Sequence, residues 1–248
     1  MKLPKATTHL HSLHKRTIAI LDMAPNSVDD CYQSCTAKMF RDVREKYLIN
    51  EFTIQPEFKN LWLKTKNNLK YKQKPIFLME EHLIALNIYT QNEIYAKFNA
   101  ATRIGASKYK GDFPYKSLYF LLSDSIRRIK EYGIINNQAN RCLTTYRGTS
   151  LPFKDVSVGV EVRFGSFTSS SKNVEAAKKF GKTTCFKIET CLGAEISSYS
   201  VYPGEDEVLI PPYEKFKVID KSKNKGCDVV YRLKSTGMQC NLLCSLFK

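Results

Sequence analysis

The spacing of hydrophobic positions changes near residue 136 and divides the chain into two kinds of segment. Before that point, apolar residues recur every three to four positions in segments 57–71, 79–101 and 115–132. This spacing predicts amphipathic helices. The period is most regular in the third segment, and Gly133 directly after it is a residue type that commonly ends helices.

After residue 136 the apolar segments shorten, and Gly, Pro, Ser and Asn separate them. This pattern predicts strands, with one short helix over 174–180. The predicted strands cover 142–146, 160–164, 183–189, 207–210, 215–219 and 229–233. We therefore expect an α+β fold in which an N-terminal helical part packs on a C-terminal mixed β core. Residues 1–21 are interpreted as a leader or disordered tail, and residues 22–248 as a single domain.

The composition is that of a folded, strongly basic protein. Among 248 residues, 39 Lys and Arg against 24 Asp and Glu give a formal net charge of +15. Such an excess attracts anionic partners, so a basic, aromatic-rich module that binds nucleic acid is one hypothesis. The lysines are scattered, however, and no apolar stretch is long enough for a membrane helix. Neither a signal peptide nor a lipid-anchor signal is visible in the chain.

Histidine and cysteine usage limits the chemistry. Three of the four His stand in the leader at positions 9, 11 and 14, and the fourth is His82. A Ser-His-Asp triad or a His-ligated zinc site therefore does not fit the C-terminal half, and we predict no metal. No two of the eight cysteines have Cys-x-x-Cys spacing. Their even number and scatter favour disulfides in an oxidising compartment, and buried free thiols are the alternative.

Three short motifs carry candidate chemistry. Tyr146-Arg147-Gly148 ends a predicted strand, where Arg offers a planar fork of donors to a phosphate and Gly permits close approach. Segment 164–171, Phe-Gly-Ser-Phe-Thr-Ser-Ser-Ser, offers hydroxyls that could bind a sugar, although helix capping explains such residues as well. In the third motif, Glu205 and Glu207 stand two apart before an apolar strand. On an extended chain they would project to one face, where their repulsion could shift a pKa.

In this order, the Arg, the Ser run and the Glu-x-Glu pair resemble the signature of the arginine-specific mono-ADP-ribosyltransferases. The chain resembles the vertebrate-type ecto-ADP-ribosyltransferases in particular, from about residue 22 to residue 243. Further segments carry the resemblance: 29–35, 85–90 with 98–99, 190–194, 208–214 and 235–237.

The resemblance implies a role for each motif residue. Arg147 would bind the pyrophosphate of NAD, and Gly148 would offer backbone hydrogen bonds to the nicotinamide amide. Ser169 would position the nicotinamide ribose and the catalytic carboxylate. Glu207 would be the catalytic glutamate, which stabilises the oxocarbenium-like cation as nicotinamide leaves. Glu205 would orient the acceptor guanidinium and help to deprotonate it.

Additional contacts and two disulfides are implied in the same way. Tyr89 and Ser200 would contact NAD, and Tyr202 would meet the acceptor protein. The implied disulfides are Cys35–Cys240 and Cys142–Cys191, which leaves four cysteines without an assigned partner.

We therefore expect a transferase that moves ADP-ribose from NAD to exposed arginines of acceptor proteins and releases nicotinamide. NADP stays open as a second donor, and neither a metal nor a nucleic acid is expected. The resemblance also implies an extracellular or secretory location. Two alternatives remain beside this hypothesis: an NAD glycohydrolase with water as acceptor, and the non-catalytic basic module.

Overall fold

The structure, a computed structural model, describes residues 18–69, 75–137, 140–224 and 226–248. Within them, the helices are α1 Thr36–Asp42, α2 Leu48–Ile54, α3 Pro56–Leu69, α4 Glu80–Tyr89, α5 Asn92–Ile104, α6 Lys116–Ile135 and α7 Val174–Lys178. The strands are β1 Leu143–Thr149, β2 Glu161–Val162, β3 Thr168–Ser171, β4 Thr184–Thr190, β5 Ala194–Glu195, β6 Glu207–Ile210, β7 Glu214–Asn224 and β8 Cys227–Met238. Most of the predicted leader, including its three His, lies outside the described residues.

The N-terminal part is helical, as predicted, but its helices differ from the predicted ones. Helices α1 and α2, joined by a π-helical turn at Val43–Tyr47, were not predicted. The single helix expected over 79–101 is two helices, because the backbone at Gln91 adopts an extended conformation and interrupts the helix. The Thr90 hydroxyl donates to the carbonyl of Asn87, 2.9 Å away, and so takes up a carbonyl at the end of α4.

Gly133 does not end its helix, so this prediction was wrong. Gly133 is buried inside α6, which continues to Ile135. The left-handed position that usually falls to Gly is taken by Asn137, with φ of 55°. Asn tolerates this conformation better than other side chains do.

The helices enclose a core around α4 and α6. Both carry buried runs, over residues 82–86 and 115–126. Helix segments that are buried on all sides have to be covered by neighbouring elements on all sides. The surrounding helices and the inner face of β5 and β6 provide that cover, through Ala194 and Leu209.

The C-terminal part is one mixed sheet of eight strands in the order β2-β7-β8-β4-β1-β3-β6-β5. Strands β4 and β8 are parallel, and every other neighbouring pair is antiparallel. A second core lies on this sheet and contains Phe186, Ile188, Phe216 and Tyr231. Strand β1 lies between β4 and β3, and β6 follows β3, so the three motifs come together on adjacent strands of the sheet.

All eight cysteines form disulfides: Cys31–Cys240, Cys35–Cys244, Cys142–Cys191 and Cys185–Cys227. The structure therefore pairs Cys142 with Cys191, as the resemblance implied. The expected Cys35–Cys240 bond is not formed. Instead, two disulfides join the same segments: Cys31 pairs with Cys240, and Cys35 pairs with Cys244.

Two carboxylates explain this register. Asp29 accepts a hydrogen bond from the backbone N–H of Leu242, and Asp30 accepts one from the N–H of Cys244. These hydrogen bonds align the two segments so that Cys31 lies opposite Cys240 and Cys35 lies opposite Cys244. In the described part of the chain, no helix has the length and apolarity that a membrane span requires.

Candidate active site

A cavity of about 390 Å³ opens between the start of α5 and the strands β1, β3 and β6. Its size suits a ligand of nucleotide dimensions. Its walls contain residues from all three motifs, Arg147, Gly148, Ser169, Glu205 and Glu207, together with Tyr202. The hydrogen-bonded order β1-β3-β6 brings them together, although 60 residues separate Arg147 from Glu207 in the sequence.

Arg147 lies on β1, which borders the site on one side of β3. Its Nη1 donates to the backbone carbonyl of Ser169, 2.6 Å away on β3. One edge of the guanidinium is thereby fixed by the protein. No carboxylate among the described residues forms an ion pair with it, so the cation keeps donors for an anionic ligand.

Gly148 is required by the protein backbone itself. A Cβ atom at this position would lie 2.3 Å from the carbonyl oxygen of Gly181 and 2.6 Å from that of Ala177. The end of α7 and the chain that follows it therefore pack directly onto β1 here. Gly148 also lines the cavity, so the lack of a side chain here serves both the packing of this segment and the approach of a ligand to the backbone.

The Ser run forms strand β3, which was not predicted because Ser and Thr are also typical of caps and turns. Ser171 pairs with Glu207 across the ladder, and Ser169 pairs with Leu209. The Ser171 hydroxyl donates to the carbonyl of Glu205, 2.6 Å away, and accepts from the N–H of Asn173. Ser171 thus holds the acidic turn in place, a role that sequence reasoning missed.

Glu207 is a buried carboxyl group, with 6% of its surface exposed. Its pKa is raised to about 7, first by burial and then by the nearby Glu205 carboxylate. Hydrogen bonds from the hydroxyls of Ser169 and Ser200, and the Arg147 cation, act in the opposite direction. Glu207 therefore combines a pKa near neutrality with two hydroxyls that orient it, as is typical of catalytic groups.

Glu205 and Glu207 share a cavity, but the extended backbone assumed for them is absent. Pro203–Glu205 forms a turn of 3₁₀ helix, and Asp206 adopts a left-handed conformation with φ of 48°. This kink returns Glu207 to the strand while Glu205 faces the same cavity. Asp206 is not among the cavity residues. Burial raises the pKa of Glu205, and the Lys179 cation lowers it.

The other predicted contact residues have different positions. Tyr89 lines the cavity but is fully buried, and its hydroxyl donates to the carbonyl of Phe167, 3.0 Å away. Ser200 is not part of the cavity wall; it bonds to Glu207 and accepts from the N–H of Tyr202. Tyr202 is 47% exposed at the cavity rim.

Two further aromatic residues, Tyr95 of α5 and Phe180 after α7, line the cavity and were missed. Phe180 is 59% exposed, which is unusual for a large apolar side chain. Neither belongs to a motif of its own. Only their place beside the Arg and Glu residues marks them as candidates for contact with a planar ring.

One group among the described residues has side-chain spacing that could suit a metal ion: Cys142, Glu189 and Cys191. The two cysteines form a disulfide, so they offer no thiolates. This group carries no proposal of a metal site.

Comparisons with known proteins identify the family. Residues 21–241 match the family model described as NAD:arginine ADP-ribosyltransferase. The erythroblast NAD(P)(+)–arginine ADP-ribosyltransferase of Gallus gallus is 35% identical over 238 residues, covering 92% of this chain and 76% of the relative. The GPI-linked NAD(P)(+)–arginine ADP-ribosyltransferase 1 of Oryctolagus cuniculus is 34% identical, with 92% and 74% covered.

Solved structures agree with this assignment. The crystal structure of the eukaryotic mono-ADP-ribosyltransferase ART2.2 superposes with a TM-score of 0.76 at 31% identity, covering 93% of this chain and all of that one. A variant of ART2.2 in complex with NADH gives a TM-score of 0.77.

The chain therefore belongs to the NAD:arginine ADP-ribosyltransferase family. The predicted fold, a helical part on a mixed sheet, is confirmed. So is the predicted class of enzyme, a mono-ADP-ribosyltransferase that uses NAD and acts on arginine.

Proposed function

We propose that Arg147, Ser169, Glu205 and Glu207 carry out the transfer in the cavity described above. Four groups of complementary chemistry facing one cavity, with Glu207 buried at a pKa near 7, are the observation that supports this best. Arg147 binds the pyrophosphate of NAD, and Ser169 orients both the nicotinamide ribose and Glu207. Gly148 offers its backbone to the nicotinamide amide.

The ionised Glu207 carboxylate acts as nicotinamide departs. It accepts a hydrogen bond from the ribose 2′-hydroxyl and stabilises the positive charge that develops at C1′. The electrons of the broken C1′–N bond leave with neutral nicotinamide. In a buried site a fixed negative charge is more effective than in water, because little solvent screens it.

Glu205 acts on the acceptor. An arginine guanidinium is protonated at neutral pH, so it has to lose a proton before a nitrogen can form the new bond to C1′. Glu205 orients the guanidinium and accepts this proton. Tyr202, exposed at the rim, contacts the acceptor protein beside the entering arginine.

The donor pocket as a whole supports a dinucleotide. Tyr89 forms part of its buried wall, while Ser200 acts through Glu207, which differs from the direct contact expected of it. NAD is the proposed co-substrate, NADP stays open as a second donor, and the mechanism requires no metal. Exposed arginines of proteins are the proposed acceptors.

The disulfides and the relatives named as GPI-linked or ecto-enzymes support an extracellular location. Free thiols would be expected in a reducing compartment. A basic surface remains compatible with this location and needs no nucleic acid as partner.

Incubation of the purified, oxidised chain with labelled NAD and agmatine tests the transfer. We expect ADP-ribosyl-agmatine and nicotinamide in equal amounts, because each transfer releases one nicotinamide. The rival hypothesis, an NAD glycohydrolase, predicts free ADP-ribose as the main product even at high agmatine concentration. No nicotinamide release from folded protein would contradict both enzymatic functions and leave the non-catalytic basic module.

The pKa of Glu207 predicts how activity depends on pH. Because the charged form is needed and burial raises the pKa to about 7, kcat/KM for NAD should rise between pH 6 and 8 with its midpoint near 7. Removing the Glu205 charge should move the midpoint of NAD cleavage to lower pH, since that charge raises the Glu207 pKa. A profile that is flat above pH 5 would contradict the assignment of Glu207.

A further inference from the structure

A second cavity adjoins the candidate active site. Its volume is about 510 Å³, and it shares Arg147 and Thr149 with the first cavity. Arg147 therefore lies at the junction of the two. The wall of the second cavity includes exposed apolar side chains, Ile104 and Leu151, at 67% and 38% exposure. Such residues beside a cation are typical of a surface that receives a ring and an anion together.

Helix α5 runs along both cavities. Tyr95 lines the first cavity and Arg103 lines the second. They are eight residues apart, so they lie on the same face of the helix, about 12 Å from each other along its axis. The two cavities thus form one elongated cleft, with Glu207 toward one end, Arg147 in the middle and Arg103 toward the other.

Arg103 is a cation that has neither an ion pair nor a side-chain hydrogen bond with another described residue, and only burial and more distant charges act on its pKa. Although the residue as a whole is exposed, burial of its guanidinium lowers its pKa, and the Arg147 cation lowers it as well. Tyr95 and Tyr89 act in the opposite direction. Two arginines that repel each other in one cleft are stabilised when an anion binds between or beside them.

The acidic residue in the wall of the second cavity forms no ion pair with this cation. Among the described residues that line the second cavity, Asp22 is the one carboxylate. Its Oδ1 accepts from the backbone N–H of Ala24, 2.7 Å away. The cleft end at Arg103 therefore keeps a positive charge for a ligand.

We propose that Arg103 is a second phosphate-binding residue of the donor cleft, acting on a phosphate that Arg147 does not hold. The proposal rests on the function proposed above, which puts the nicotinamide end of the donor near Glu207 and its pyrophosphate at Arg147. The adenosine end then extends past Arg147 into the second cavity, where Ile104 and Leu151 offer apolar contact to the base.

Two phosphates of the donor could meet Arg103. One is the adenosine-side phosphate of the pyrophosphate, which NAD and NADP share. The other is the 2′-phosphate, which NADP alone carries. Both present the same chemistry to a guanidinium, and different ligands distinguish them.

The test compares Arg103→Gln, which removes the charge, with Arg103→Lys, which keeps it but loses the planar fork. Lys108→Gln is the matched control, because Lys108 is an exposed cation just beyond α5 that lines neither cavity. Calorimetry with ADP and with adenosine 2′,5′-bisphosphate measures binding without turnover. Values of kcat/KM for NAD and NADP measure the same residue in the reaction.

A charge-assisted hydrogen bond to phosphate is worth about tenfold or more in affinity. If Arg103 meets the pyrophosphate, Arg103→Gln should weaken ADP and lower kcat/KM for both donors about tenfold. If it meets the 2′-phosphate, Arg103→Gln should weaken the binding of adenosine 2′,5′-bisphosphate and lower kcat/KM for NADP about tenfold, and should leave ADP and NAD unchanged. In either case Arg103→Lys should retain part of the affinity.

An Arg103→Gln variant that resembles Lys108→Gln with all four ligands would overturn the proposal. The binding arm also separates this proposal from the one on which it rests. If neither donor is turned over by the wild-type chain, the proposed function fails, whereas the affinity for ADP still reports on Arg103.

Discussion

Replacing Glu207 with Gln is expected to lower both ADP-ribose transfer and NAD cleavage by on the order of 10³-fold. Gln has almost the same shape and can still bond to the hydroxyls of Ser169 and Ser200. It lacks the negative charge that stabilises the cation at C1′, and both reactions pass through that cation. Nicotinamide release measured with and without agmatine checks the two activities in one assay.

The same substitution should increase stability at alkaline pH, which separates a loss of chemistry from a loss of fold. The folded-state pKa of Glu207 is raised from 4.5 to about 7. Folding therefore favours the protonated form, and stability falls as pH rises from 4.5 through 7. At pH 8, Glu207→Gln should be more stable than wild type by up to about 3 kcal/mol. Below pH 4.5 the difference should vanish.

Asp206→Asn is the matched control for Glu207→Gln. It removes a neighbouring carboxylate that does not line the cavity, and Asn tolerates the left-handed backbone at this position. Its activity should stay within about twofold of wild type, as expected for a surface change. A Glu207→Gln enzyme that kept more than about a tenth of either activity would refute the catalytic role.

The three motifs of the candidate site could be predicted from sequence because they follow one another in chain order, on or directly beside three strands. Their geometry could not. Alternation along an extended chain predicts that Glu205 and Glu207 share a face, yet the backbone turns at Pro203–Glu205 and bends at Asp206. The two side chains reach the same cavity through this kink. The alternation of side chains applies only to a regular strand. The backbone here is kinked, and the kink is what allows the two carboxylates to face the same cavity.

The sequence did not predict the structural features that lack a regular spacing of apolar residues. Strand β3 is a run of Thr and Ser, and its place between β1 and β6 depends on long-range pairing rather than on local pattern. The break between α4 and α5 likewise depends on Thr90, whose hydroxyl also accepts from the N–H of Val201 at 3.1 Å. The register of the Cys31 and Cys35 disulfides is set by Asp29 and Asp30, far from their partners in sequence.

Replacing Glu205 with Gln is expected to separate the two activities. Transfer to agmatine should fall about 10²-fold, because Gln cannot accept the proton that the guanidinium has to lose. Nicotinamide release in the absence of agmatine should stay within about threefold of wild type, since Glu207 is unchanged. The two rates are measured on the same preparation, so that the ratio does not depend on the amount of active enzyme.

The pH at which this ratio is measured matters for Glu205→Gln. Loss of the Glu205 charge lowers the pKa of Glu207, so near pH 6.5 the hydrolysis rate should rise relative to wild type. At pH 8, where Glu207 is ionised in both proteins, this gain disappears and the effect on the acceptor step stands alone. Asp206→Asn again serves as the control, with both activities kept. An equal loss of transfer and hydrolysis at pH 8 would show that Glu205 acts on the donor, and the acceptor role would then be wrong.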